Sequence, residues 1–174
     1  MTYAVQNGPI GIQPIEATST VQQHTLGFRV RAVDPVYGAA DFIYLQGVAS
    51  TVAGSVVTYG EASTGTGVAA HSTWLTALAP ATANLAQPVA VSMSANVANQ
   101  FGWYQISGVG VVATNGTISG AGAQLYLAGS GQLTTTAAAG KQVVGARTAS
   151  ANGVPTGNFC LAVIEEPFAQ GAIT

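Results

Sequence analysis

The sequence predicts an all-β fold, a small glycine-rich barrel or sandwich with an extended N-terminal arm and one short helical insertion. Three observations carry this reading. Roughly ten short apolar runs alternate in the manner of strands or are rich in β-branched and aromatic side chains. Glycine, 22 of 174 residues, punctuates them. Only one window, residues 67–79, has the alanine and leucine content of a helix.

Residues 1–26 carry Pro9 and Pro14 and a scatter of apolar side chains (Tyr3, Val5, Ile10, Ile12, Ile15) at neither helical nor strict strand spacing. A segment of that kind builds no core of its own, and disordered tails are more charged and less aliphatic. It reads as an arm laid on a surface, either a neighbour's or that of its own domain, which spans residues 27–174. In GFRVRAV, Phe28, Val30 and Ala32 alternate with Arg29 and Arg31, the signature of a half-exposed strand. DFIYLQGVA and GSVVTYG follow as strands. GVAAHSTWLTALA (67–79) is the helical window, closed by Pro80, after which QPVAVSM is again a strand and SANVANQ suits a helical turn.

FGWYQIS places Phe101, Trp103 and Gln105 on one face and Tyr104 and Ile106 on the other. Aromatic bulk on both faces predicts a strand buried on both sides, under an arm or at a subunit contact. VVATNGTIS reads as a hairpin about Asn115–Gly116. AQLYLAG, GQLTTT, KQVVGAR and NFCLAVIEE are four further strands, with a turn at 152–155. Residues 46–64 and 107–131 echo one another weakly: both run Gly-Val, a hydroxyl-rich turn, then glycine and an aliphatic strand with a tyrosine. A duplication gives such an echo, and so does glycine-rich composition alone.

Charge is scarce. Four Lys or Arg and six Asp or Glu make up 6% of the chain, against about 25% in ordinary soluble domains. A monomer of this size exposes about 8,000 Å², which leaves about 800 Å² of surface per charge. Dispersed charge is what normally keeps protein surfaces apart. The composition therefore predicts that much of this surface is covered by other protein, and Thr, Ser, Asn and Gln supply hydrogen bonds there without the desolvation cost of ions.

The same scarcity excludes function classes. No basic cluster exceeds Arg29 with Arg31, too little to neutralise a run of phosphates, so no direct nucleic-acid contact is expected. Pro80, Pro88 and many hydroxyl and amide side chains interrupt the long uncharged region, so no membrane span is expected. The start of the sequence has neither the basic nor the continuous apolar region of a signal peptide. Neither His24 nor His71 has Cys, Asp or Glu at metal-ligand spacing, so no metal and no catalytic residue is assigned. GTGVAA (65–70) matches a loose dinucleotide pattern, but residues 62–140 hold no acid for the ribose; no cofactor and no small-molecule substrate are expected. Cys160 reads as a small buried apolar residue. Glu165 and Glu166 point to opposite faces of a strand and suit a strand-end charge or an ion pair with Arg29 or Arg31.

GAQLYLAGSGQLTTTAAAGKQVVGARTASANGVPTGNFCLAVIE (122–165) resembles the glycine-rich capsid cement, or head decoration, proteins of tailed bacteriophages. The resemblance rests on Gly122-Ala123-Gln124-Leu125-Tyr126, Gly131-Gln132-Leu133-Thr134-Thr135, Val144-Gly145-Ala146 and the aliphatic run from Leu161 to Ile164. It covers about a quarter of the chain, and the arm and the insertion near 62–100 depart from it. The resemblance implies a non-enzymatic structural virion protein on the capsid surface, found in the host cytoplasm during assembly, that binds the major capsid protein and forms a trimer or dimer. The alternative is a phage tail or fibre component or an adhesin module. The residues expected at interfaces are Tyr3, Ile10 and Ile12 of the arm, Arg29 and Arg31, and the aromatics Trp74, Trp103 and Tyr104, which equally suit a core.

Overall fold

The computed structural model describes residues 4–5, 11–60 and 74–172. Its twelve strands are β1 (Ala4–Val5), β2 (Arg29–Asp34), β3 (Gly38–Gln46), β4 (Val56–Tyr59), β5 (Thr76–Leu78), β6 (Val89–Ser92), β7 (Phe101–Gln105), β8 (Ser107–Ala113), β9 (Gln124–Gly129), β10 (Gln132–Thr134), β11 (Gln142–Thr148) and β12 (Phe159–Ala169). They form two antiparallel sheets, one in the order β1-β2-β3-β7-β6-β4-β5 and the other in the order β10-β9-β11-β12-β8. The fold is all-β, with no helix among the described residues and no closed barrel.

Local chemistry explains the regular parts. β2 and β3 form a hairpin whose turn is tied by Asp34, its Oδ1 accepting from the amides of Val36 (2.7 Å) and Tyr37 (2.9 Å). β7 lies between β3 and β6, and Trp103 and Tyr104 on its two faces are both fully buried, as the double-sided aromatic pattern requires. The first sheet rolls until Leu75, just before β5, bridges Gln46 at the end of β3 in parallel. The Gln46 amide donates to Trp74 O (3.0 Å) and Thr76 Oγ1 donates to Gln46 O (2.9 Å). Ile43, Leu45, Val57, Ala90, Tyr104 and Ile106 fill the inside of the roll. The second sheet rolls in the same way, Thr114 bridging Leu133 in parallel.

The sheets meet through one apolar cluster. Val56, Val89 and Val91 of the first pack against Leu125, Leu127, Leu133, Cys160 and Ile164 of the second. Each such aliphatic side chain contributes about 1.5–3 kcal/mol on full burial. Cys160 sits in this cluster with no exposure, and burial pushes its thiol up to about 11. It should therefore resist alkylation by iodoacetamide in native, mildly alkaline buffer and react once guanidinium unfolds the chain; rapid native labelling would contradict the packing.

Four expectations are corrected. The helical window divides: residues 67–73 lie outside the described residues, and Thr76–Leu78 is strand β5, paired with β4 through Val57–Leu78 and Tyr59–Thr76. Sheet pairing and the burial of Thr76 outweigh the weak intrinsic preference of Ala and Leu for helix. SANVANQ is a turn, not a helical one, because its short polar side chains favour local non-helical bonds; the Asn96 amide donates to Ser94 O (2.9 Å) and Asn99 has φ 63°.

The hairpin about Asn115–Gly116 does not form either. β8 pairs with β12, and the residues after the turn are held by Asn152, whose Oδ1 accepts from the Ile118 amide (2.7 Å) and whose Nδ2 donates to Gly116 O (3.0 Å). Finally, the alternation of β12 breaks at Glu165–Glu166. Both are exposed, and the buried set passes from Cys160, Ala162 and Ile164 to Pro167 and Ala169. The β11–β12 register shifts there. Gly145 makes room for it, since a Cβ at its φ of +78° would strike the Glu165 carbonyl.

Candidate functional site

The described part of the arm lies on its own domain. Ile12, Ile15, Leu26 and Phe28 pack with Val30, Phe42, Tyr44 and Trp103 on the outer face of β2, β3 and β7. Polar bonds fix the path: Trp103 Nε1 donates to Gln13 O (2.9 Å), Tyr44 Oη donates to Gln13 Oε1 (3.0 Å), and Ser19 bridges Phe101. Trp103 and Tyr104 are thus core, with no surface left for a partner, while Ile12 contacts its own sheet. Tyr3 and Ile10 lie outside the described residues.

His24 gives this covering layer a pH response. Its Nε2 accepts from the Gln13 amide (3.1 Å), and its ring lies 5.1 Å from that of Tyr44 and 5.5 Å from that of Trp103. Burial lowers its pKa below the usual 6.5. Well above pH 6.5 both folded and unfolded chains carry it neutral, so it adds no pH dependence there. As pH falls below that value the unfolded chain takes the proton first, and stability should decline until folded His24 is protonated too. Urea midpoints measured against pH should show this decline, and His24→Ala should flatten it; a wild-type midpoint rising over the same interval would contradict it.

The exposed site residues gather at one rim of the first sheet. Arg29 Nη1 lies 2.6 Å from Glu166 Oε1, joining β2 to the bulge of β12, and Arg31 Nη1 lies 3.9 Å from Asp41 Oδ1. Both pairs are well exposed, so each contributes no more than about 1 kcal/mol. The Arg29–Glu166 pair fulfils the ion pair expected of the C-terminal glutamates. It also separates two clefts. One, of about 280 Å³, is lined by Arg29, Arg31, Asp41, Ile106 and Glu166. The other, of about 390 Å³, is aromatic: Tyr59 and Trp74 stack at 6.4 Å and 28°, with Pro88 and Phe168 completing the wall. Burial raises the pKa of the Tyr59 hydroxyl, opposed by nearby Arg29. Trp74 is half-buried, its ring seated against Gly27.

Flat rings beside an arginine and a carboxylate can hold a sugar ring or an extended peptide by stacking and hydrogen bonding. Among the described residues, no three His, Cys, Asp or Glu come together as metal ligands. Phe168 is 41% exposed, and so is its cross-strand neighbour Val144, at 52%. These two, with Tyr59, Leu161 and Val163, were not among the residues expected at interfaces. The alternation of NFCLAVIEE does place Leu161 and Val163 opposite the buried Cys160, Ala162 and Ile164, and could have flagged them.

Compared with known protein families, curated proteins and solved structures, the chain matches none.

Proposed function

We propose that this chain is a non-enzymatic structural protein of a phage virion, bound to the major capsid protein on the outer surface of the head and reinforcing the shell. The observation that supports the reading is an exterior poor in charge that leaves several large apolar side chains exposed. Val144 and Phe168 stand side by side on the second sheet, and Val36, Val52 and Leu75 are each at least half exposed, on a chain with ten charged side chains in all. Surfaces of that kind gain most when covered across a seam between subunits. The resemblance of residues 122–165 to capsid cement proteins implies that the seam is that of a capsid. In this reading the chain resides in the host cytoplasm until assembly and on the capsid afterwards.

Particles purified from a lysate containing the chain test the reading. The chain should be found at high copy number on isolated heads, and stripping it should lower their resistance to heat. Its absence from heads would refute the proposal. A second reading, a tail, fibre or adhesin module, is favoured by the Tyr59–Trp74 cleft, and predicts the chain on isolated tails together with binding on a glycan array.

A further inference from the structure

The two sheets repeat one topology. β3, β4, β5, β6 and β7 lie in the spatial order β3-β7-β6-β4-β5, and β8, β9, β10, β11 and β12 lie in the order β8-β12-β11-β9-β10. In both, the first strand pairs with the fifth, the fifth with the fourth, the fourth with the second and the second with the third, all antiparallel. In both, a parallel bridge then links the third strand or its leading residue back to the end of the first: Leu75 to Gln46 and Leu133 to Thr114. The first unit encloses its own apolar cluster, and the inside of the second is filled by the cluster it shares with Val56, Val89 and Val91 of the first. β1 and β2 are additions to the first. The sequence echo between 46–64 and 107–131 is out of step with this repeat, its Gly-Val falling after β3 in one unit and within β8 in the other.

Comparing equivalent outer faces shows where the molecule is unfinished. On the first unit, the outer face of the first and fifth strands bears Phe42, Tyr44 and Trp103 and lies under the arm. The outer face of its second and fourth strands, with Val56, Val89 and Val91, lies against the second unit. On the second unit, the outer face of the second and fourth strands is mixed: Gln142 Nε2 donates to Gln124 Oε1 (3.1 Å), Arg147 stands beside them, and Val144 is exposed. The remaining face, on β8 and β12, is apolar. Val111 pairs with Leu161 and Val109 with Val163, all four side chains half-buried. No arm precedes this unit, because a single residue, Ile106, separates β7 from β8.

The charges beside this stripe are self-complementary. Arg147 and Glu165 are exposed, line one cleft of about 120 Å³ with Val163, and take part in no ion pair among the described residues. Two copies related by a twofold axis that passes between Arg147 and Glu165 would set Arg147 of each near Glu165 of the other, and an isologous contact makes that pair twice.

We propose that two copies of this chain associate face to face through the outer surface of β8 and β12, the Val111, Leu161 and Val163 stripes packing together and Arg147 of each copy pairing with Glu165 of the other. A standard interface takes about 800 Å² from each partner, a tenth of the 8146 Å² that the chain exposes. The pairing does not depend on the capsid reading, because head binding by a monomeric chain would refute the dimer and leave that reading intact.

A charge-swap experiment tests it on the full chain. Arg147→Glu and Glu165→Arg alter exposed side chains, and circular dichroism checks that each variant folds. Sedimentation equilibrium should show the wild type dimerising and each variant alone dimerising about tenfold or more weakly, because like charges then meet across the axis. Mixing the two variants restores opposite charges at both contacts and should recover a heterodimer near wild-type affinity. A wild type monomeric throughout, variants that dimerise unimpaired, or a mixture that fails to recover would each overturn the proposal.

Discussion

Trp103→Ala is expected to destabilise the protein by about 3–5 kcal/mol, the largest single-residue effect in the molecule. Trp103 is fully buried at the centre of the first sheet. Its ring meets Tyr44 edge-on at 5.1 Å, with His24 at 5.5 Å and Phe28 at 6.2 Å, and its Nε1 donates to Gln13 O. Truncation leaves a cavity and a carbonyl without its donor, and both losses fall on the contact that holds the arm to β3 and β7. Trp103→Phe keeps most of the ring but leaves Gln13 O unpaired, and should cost about 1–3 kcal/mol. Urea unfolding of the three proteins measures both values. A loss below about 1 kcal/mol for the alanine variant would show that the arm is not part of the core.

Gly108→Val comes next, at about 2–4 kcal/mol. β8 begins where the chain passes from one unit to the other, and there its backbone lies against the start of β3. A Cβ at position 108 would stand 2.8 Å from both the Ala39 carbonyl oxygen and the Ala40 Cβ, and the residue has φ +96°, a conformation costly to any β-branched side chain. The substitution should lower the thermal midpoint and separate the two sheets' unfolding transitions. A variant as stable as the wild type would mean that β3 and β8 do not approach so closely.

Much of the strand inventory was legible because alternation is a local property. Val30 and Ala32 between two arginines, or Cys160, Ala162 and Ile164 along β12, announce a buried face whatever their partners are. Pairing was not legible. Asn115–Gly116 has ideal hairpin chemistry, yet β8 joins β12 because Val112, Cys160 and Ile164 complete one cluster across a long stretch of chain. Nor did size reveal side: Trp103 and Tyr104 read as interface or core alike, and only the arm above one and the roll around the other decide for core. Of the site, an ion pair of Glu165 or Glu166 with Arg29 or Arg31 was open to the sequence, and the fold selects Arg29 with Glu166. The Tyr59–Trp74 stack was not, since it depends on how the sheet rolls.

A surface so poor in ionic groups is built to be covered. Sedimentation velocity of the isolated chain, taken from micromolar to millimolar concentration, tests that most directly. Progressive association at low salt is the predicted result; a single monomeric species throughout the range would contradict it.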